Sequence, residues 1–306
     1  MTSHERLLAI FRGDIPDRPA IKLWSAGFGQ EMLHPDYKPV YEAAIAKLDL
    51  FVHSGSSFNL HWGMNPPPIT VEEQPTASPE WVDVVTTVTT PLGAMRSVYR
   101  KSMLRKPGYD MEHLIKEPAD LDKLLSVPYV PFPFNAGDFR KTEKDLGDRG
   151  LVCFGLDHGP YGLQRLIGSE TIAIWSLEIR DRLMKVIRVY TDRVMGHLKA
   201  ALSAGIRGVF GWVGPELFTP PLFSPADFDE FVYAYDKPLI DTIHDAGGYV
   251  WIHCHGKMKP VLKRFVDMGV DVLNPIEPPP MGDVTLAEAF AIVRNRMGLE
   301  GNIETH

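Results

Sequence analysis

Two cysteines, Cys153 and Cys254, are all that the 306 residues contain. That number excludes a disulfide framework, and their separation excludes a C-x-x-C redox pair or a zinc ribbon, so a reducing, cytoplasmic setting is expected. Positive charge is also scarce: Lys+Arg 32 against Asp+Glu 39 leaves a net charge of −7. A field of that sign disfavours phosphate-backbone binding, and no nucleic-acid partner is expected. The N-terminal apolar stretch runs only from Leu7 to Phe11 among Arg6, Arg12, Asp14 and Asp17. This is far short of the ~20 apolar residues of a membrane span and unlike a signal peptide, so no membrane partner is expected. There is no G-x-G-x-x-G opening a helix, no Walker sequence and no G-x-S-x-G elbow. No repeat of 20 to 50 residues and no low-complexity tract divides the chain.

What is present suits one globular unit, with 44% hydrophobic and 23% charged residues, and a single domain over 1–306 is expected. Residues 3–12 have the pattern of a short amphipathic helix ending at Gly13, and Pro16-Asp17-Arg18-Pro19 turns the chain into an extended stretch, Ala20 to Trp24, where the first barrel strand is expected. The Val- and Thr-rich segment 81–100, broken by Pro91-Leu92-Gly93, predicts a β-hairpin standing apart as a lid or rim. Residues 110–145 carry short helical signals interrupted by the proline-rich 127–134, and the region reads as a covering loop rather than a core element. From Leu151 onward strands and helices alternate. Strands are predicted at 151–156, 206–212, 249–254, 270–276 and 299–303; helices fall at 178–202, from Ser224 with a kink at Pro238, at 258–268 and at 286–297. Short connections between them argue a parallel sheet with right-handed crossovers, and the fold class expected is α/β, a (β/α)8 TIM-barrel-like architecture. In such barrels chemistry sits at the carboxyl ends of the strands.

Four predicted strand ends carry polar residues: Asp157-His158, Gly214-Pro215-Glu216, His253-Cys254-His255 and Asn274-Pro275-Ile276-Glu277. The strongest is the histidine pair, because residues two apart on a strand face the same way and both imidazoles could reach one ion, with Cys254 turned to the helices. A His₂Glu set of His253, His255 and Glu277 with open positions suits zinc and could also hold iron or manganese. Glu277 reads equally as a rim acid beside the prolines that follow. Glu216 is a candidate general acid or base, a ligand, or an exposed loop acid. Asp157 and His158 are further catalytic candidates. Trp24, Phe58, Asn59, His61 and Trp62 form a polar-aromatic cluster that could hold a flat or amphipathic substrate, or could simply be packed loop.

Several segments together resemble the uroporphyrinogen decarboxylase superfamily, in its branch of decarboxylase-like proteins and cobalamin-dependent methyltransferases. They are SHERLLAIFRGDIPDRPAI, TPLGAMRSVYRKS, IKEPADLDKLLSVP, PLFSPADFDEFVYAYDKPLIDTIHDAGG, IHCHG, GVDVLNPIE and LEGNI. The resemblance implies a distorted TIM barrel of the uroporphyrinogen decarboxylase type, lacking in this chain the last strand and helix. True uroporphyrinogen decarboxylases of the superfamily use no metal or cofactor and bind porphyrinogen carboxylates and pyrrole nitrogens through an R-Q-A-G-R type motif and an F-S-D type motif. The corresponding stretches here, LWSAGFGQ (23–30) and FVHSGSSFN (51–59), carry neither the arginines nor the aspartate.

The superfamily's methyltransferases carry an H-x-C-G motif and a later cysteine that bind a thiol-activating zinc. His253 matches the histidine and His255 stands where the cysteine would be. The third family ligand would lie beyond this chain, so Glu277 is the substitute candidate. The resemblance thus implies a metal-dependent methyltransferase, with zinc and a cobalamin or corrinoid methyl carrier, a small-molecule substrate and a possible corrinoid protein as partner. A thiol or tetrahydrofolate would accept the methyl group. A decarboxylase of a smaller acid and a non-catalytic tetrapyrrole- or corrinoid-binding protein are the alternatives.

Overall fold

The computed structural model describes residues 1–24, 35–55 and 60–301. Among these residues are ten strands: β1 (Leu50–Ser54), β2 (Ile69–Pro75), β3 (Trp81–Thr90), β4 (Gly93–Ser102), β5 (Tyr109–Glu112), β6 (Gly150–Gly155), β7 (Val209–Val213), β8 (Tyr249–His253), β9 (Val272–Ile276) and β10 (Gly298–Gly301). Strands β1, β6, β7, β8, β9 and β10 pair in that order as a curled parallel sheet, and β2 to β5 form a four-stranded antiparallel sheet. By contact, the chain forms two compact units: Met1–Ser57 with Phe134–Tyr161 and Val194–His306, and Phe58–Pro133 with Gly162–Arg193. The parallel sheet belongs to the first unit and the antiparallel sheet to the second.

The parallel strands read as apolar runs because helices and loops cover both of their faces. Five of the six residues of β6 are buried. Its first residue must be glycine, since a Cβ on Gly150 would sit 1.9 Å from the Leu50 carbonyl oxygen of the neighbouring strand. The N-terminal helix Ser3–Phe11, capped by the reciprocal Thr2 and Glu5 bonds, sends Leu7 and Phe11 into a cluster with Phe51, Leu151, Cys153, Val209, Trp251 and Val272. Each such side chain contributes roughly 1.5–3 kcal/mol on burial.

Several boundaries move relative to the sequence reading. Ala20 to Trp24 forms no strand, and the parallel sheet begins at β1. The segment is held by a single reciprocal rung, in which Ile21 N donates to Asp49 Oδ2 and Asp49 N donates to Ile21 O. One rung cannot build a ladder. The hairpin at 81–100 is present as β3 and β4, widened by β2 and β5. The supposed covering loop contains two helices, Pro118–Leu125 and Gly137–Leu146, each with buried apolar residues. The helix after Ser224 passes through Pro238, with a π turn at Asp229–Tyr233 ahead of it. That turn is the local irregularity by which a long helix accommodates such an interruption. No helix among the described residues is long and apolar enough to cross a membrane.

Asp49 anchors the entry to β1. Its fully buried carboxylate accepts from Arg6 Nη1 at 2.6 Å, from Arg18 Nη1 and Nη2 at 2.9 and 3.1 Å, and from Ile21 N at 3.0 Å. Burial works to raise its pKa, but the bonds from Ile21 N, Ser3, Arg18 and Arg6 outweigh it and hold the value below the ordinary 3.8. Removing one partner of a buried pair costs about 3–5 kcal/mol because the other charge is left uncompensated. Asp49→Ala should therefore lower the unfolding free energy in urea by about 3 kcal/mol at neutral pH. The gap to wild type is full above the unfolded pKa and shrinks as pH falls through the depressed native value. A pH-independent gap would contradict this role.

Candidate active site at the carboxyl edge of the parallel sheet

Parallel pairing places the carboxyl ends of β6, β7, β8 and β9 side by side, and each is followed by one of the polar groups identified in the sequence. His253 closes β8. Directly across in register stands Asn274 of β9, and the two side chains meet, His253 Nδ1 lying 2.5 Å from Asn274 Oδ1. His255 follows on the same side, its ring edge-on to that of His253 with centroids 4.5 Å apart. Its Nδ1 is 3.0 Å from Glu277 Oε1, while Glu277 Oε2 accepts from Gly256 N at 3.0 Å. Cys254, between the histidines, is buried with Sγ 3.4 Å from Met258 Sδ. Burial raises the pKa of both cysteine thiols, so neither is a thiolate at neutral pH.

Each imidazole thus has Nδ1 against an oxygen acceptor, and among the described residues no hydrogen bond engages either Nε2. Outer-shell acceptors on Nδ1 are the usual way in which metal-ligating histidines are aimed. Desolvation, the field of Lys22 and neighbouring His255 lower His253 to about 4 despite its bond to Asn274, which keeps the ring uncharged at neutral pH. Glu277 stands beside His255 with one oxygen at its Nδ1 and the other on Gly256 N, where it can orient the ring. Among the described residues no three His, Cys, Asp or Glu side chains are grouped to hold an ion. The two imidazoles offer two nitrogen donors of the kind that zinc takes.

Glu216 lies one turn past β7. Gly214 reaches φ +119°, which suits glycine alone, and a Cβ there would meet Tyr161 at 2.4 Å. Its N–H donates to Glu216 Oε2 at 3.1 Å. Burial nevertheless pushes the Glu216 pKa up, against the opposing fields of His158 and His255. His158 is completely buried. Its Nε2 is 3.2 Å from Oδ1 of the equally buried Asp236, at an angle that makes no hydrogen bond, and Asp236 Oδ2 accepts from Trp212 Nε1 at 2.9 Å. Asp157, half-buried, accepts from the His158 N–H.

The aromatic cluster expected to bind substrate is divided. Trp24, half-exposed, lies against His253 with ring centroids 4.6 Å apart and the planes tilted by 39°. His61 and Trp62 are buried in the second unit: His61 Nε2 donates to Gly162 O at 3.0 Å and its ring lies 4.2 Å from Tyr190, so both serve packing there. Phe58 and Asn59 lie outside the described residues. Sequence reasoning missed His53 on β1, whose ring is 5.0 Å from Trp251 and 6.1 Å from Trp24. Although solvent reaches that ring, the surrounding protein, Lys22 and His253 lower its pKa to about 4. Its signal was a histidine near the end of an apolar run. Asn274, Lys22 and Glu300 were missed as well, because their importance lies in whom they touch.

A parallel α/β sheet with titratable side chains gathered at its carboxyl edge defines an enzyme-type scaffold of the barrel class. A model of the Uroporphyrinogen decarboxylase (URO-D) family matches residues 103–306, and the chain belongs to that family. A uroporphyrinogen decarboxylase of Synechococcus sp. (strain CC9605) is 22% identical over 240 residues, 74% of this chain and 63% of that protein's length. A methyltransferase from Methanosarcina mazei shares the fold, with a TM-score of 0.59 at 15% identity over 99% of this chain and 83% of the other.

The raised pKa of Glu216 predicts that its charged form is disfavoured in the native state. Relative to wild type, Glu216→Gln should gain stability as pH rises from below the ordinary 4.5 through the native value, and the difference should level off above it. Denaturant titrations across that range check the sign; a difference that falls with pH would reverse the assignment.

Proposed function

We propose that this chain is a methyltransferase that moves a methyl group between a corrinoid, free or carried on a corrinoid protein, and a thiol or tetrahydrofolate acceptor. The observation that carries the reading is the imidazole pair: two rings with centroids 4.5 Å apart, their Nδ1 atoms tied to Asn274 and Glu277, and neither Nε2 in a hydrogen bond among the described residues. That arrangement suits a soft or borderline cation better than it suits a polycarboxylate. His253 and His255 would hold a divalent metal, zinc by ligand preference, with remaining positions open to acceptor or water. When bound, such an ion lowers the pKa of a thiol and holds it for attack near neutral pH.

The chain's own residues then do the following. Asn274 and Glu277 keep the two rings aimed, Trp24 supplies a flat apolar wall over His253, and Glu216, its carboxyl fixed by the Gly214 N–H, takes the acceptor's proton. The acceptor attacks the methyl carbon in line, the carbon–cobalt electron pair stays on cobalt, and cob(I)alamin leaves. Decarboxylation of a polyanionic porphyrinogen finds less support. Around the imidazoles stand the carboxylates of Glu216 and Glu277, and the Lys22 ammonium is bonded to Glu300. Binding many carboxylates without arginine leaves their desolvation uncompensated.

Purified protein should contain close to stoichiometric zinc by elemental analysis, and His253→Ala and His255→Ala should each lose it with circular dichroism unchanged. Metal retained in both variants would overturn the ligand assignment. With methylcobalamin and a thiol or tetrahydrofolate, the metal-loaded protein should generate the cob(I)alamin spectrum, and His253→Ala should not. Uroporphyrinogen should yield no coproporphyrinogen above background. Decarboxylation without demethylation would turn the reading to the decarboxylase branch.

A further inference from the structure

Behind His253 lies a chain of polar contacts that the methyl-transfer reading does not require. Asn274 Nδ2 donates to Glu300 Oε1 at 2.6 Å. Lys22 Nζ lies 2.8 Å from the same oxygen, and Trp251 Nε1 donates to Oε2 at 3.1 Å. Lys22 is itself held over the Phe51 and Trp251 rings, 4.2 and 4.8 Å from their centroids. Glu300 is therefore pinned by donors from three separate segments.

A carboxylate only accepts, whereas an amide both donates and accepts. Glu300 can thus face Asn274 only through the NH₂ group, because the reversed amide would set its oxygen against a carboxylate oxygen. The amide orientation decided at Glu300 leaves Oδ1 toward His253, and Oδ1 can only accept. Nδ1 of His253 must then carry the proton, and Nε2 must carry the lone pair.

We propose that Glu300, acting through Asn274, is the positioning residue that fixes His253 as the Nδ1–H tautomer and so leaves the lone pair on Nε2. The tautomer stands independently of any metal, and its use in ligation rests on the methyltransferase reading. Glu300→Gln removes the obligate acceptor and lets the Asn274 amide turn over, freeing the ring to exchange tautomers. The double variant Glu300→Gln/Asn274→Asp moves the carboxylate one place along the chain and again sets an acceptor-only group against Nδ1.

The test is long-range proton–nitrogen correlation NMR of the metal-free, nitrogen-15-labelled protein at neutral pH, with His253 assigned by its disappearance in His253→Ala. Wild type should show Nδ1 as the protonated nitrogen, Glu300→Gln should move both ring nitrogens toward averaged values, and the double variant should restore the wild-type pattern. A packing role alone predicts no restoration. Zinc affinity, read by competition with a chromogenic chelator, should fall about 10- to 100-fold in Glu300→Gln and recover in the double variant. A wild-type ring protonated on Nε2, or a tautomer unmoved by Glu300→Gln, overturns the proposal. A tautomer that behaves as stated in a wild-type protein with no zinc affinity upholds the relay and removes the metal from the proposed function.

Discussion

Register between β8 and β9 is the constraint on which the site depends. In a parallel pair the partner of His253 is set once the strands are in place, and that partner is Asn274. A slip of one residue would bring Leu273 or Pro275 opposite, turn every side chain of the strand to the other face, and leave the imidazole without an acceptor. Cys254 N, donating to Asn274 O at 2.6 Å just past the paired segment, holds the same alignment where the chain leaves β8. Buried apolar side chains on both faces of the pair, Ile252 opposite Leu273 on one and Trp251 opposite Val272 on the other, enforce the register.

Two carboxylates tie segments of the first unit together. Asp49, fully buried, and Glu300, half-buried, each draw donors from segments far apart in sequence: Arg6, Arg18 and Ile21 on the first, Lys22, Asn274 and Trp251 on the second. Burying a charge is costly unless several donors converge on it. Such convergence ties loops to strands with more directional preference than apolar contact provides. The uncharged His253 ring and the half-buried Glu216 then sit at the rim of this framework.

Family membership and site chemistry answer different questions. The URO-D family match accounts for the order of strands and helices, and the likeness to a Methanosarcina mazei methyltransferase is a likeness of fold at 15% identity. Function is carried by particular side chains grafted on such a scaffold. Here the side chains on which the proposal rests are the paired imidazoles of His253 and His255. The reading therefore turns on His253 and His255 more than on the ancestry of the barrel.

Much of the scaffold was legible in the chain itself. Apolar runs bounded by glycine marked β6 to β10 nearly to their ends, Ser224 and Asp227 marked a helix start, and Pro91-Leu92-Gly93 marked a hairpin, because each is a local choice governed by periodicity or backbone stereochemistry. The histidines at the end of β8 were legible for the same reason, since strand pleat alone puts residues two apart on one face. Ala20 to Trp24 misled because extended backbone becomes a strand only when a neighbour supplies a ladder, and here there is one rung. His61 and Trp62 misled because sequence shows that an aromatic is present but not which wall it packs against. Glu277 was legible as an acid near His255, yet whether its oxygens faced a metal or an imidazole N–H depended on Gly256 and on the path of the chain after β9. The partners of His253 could only come from folding: Asn274 and Glu300 lie 21 and 26 residues apart in successive contacts along the relay. Hydrogen bonds between residues so distant are set by strand register and side-chain direction, which are properties of the assembled sheet.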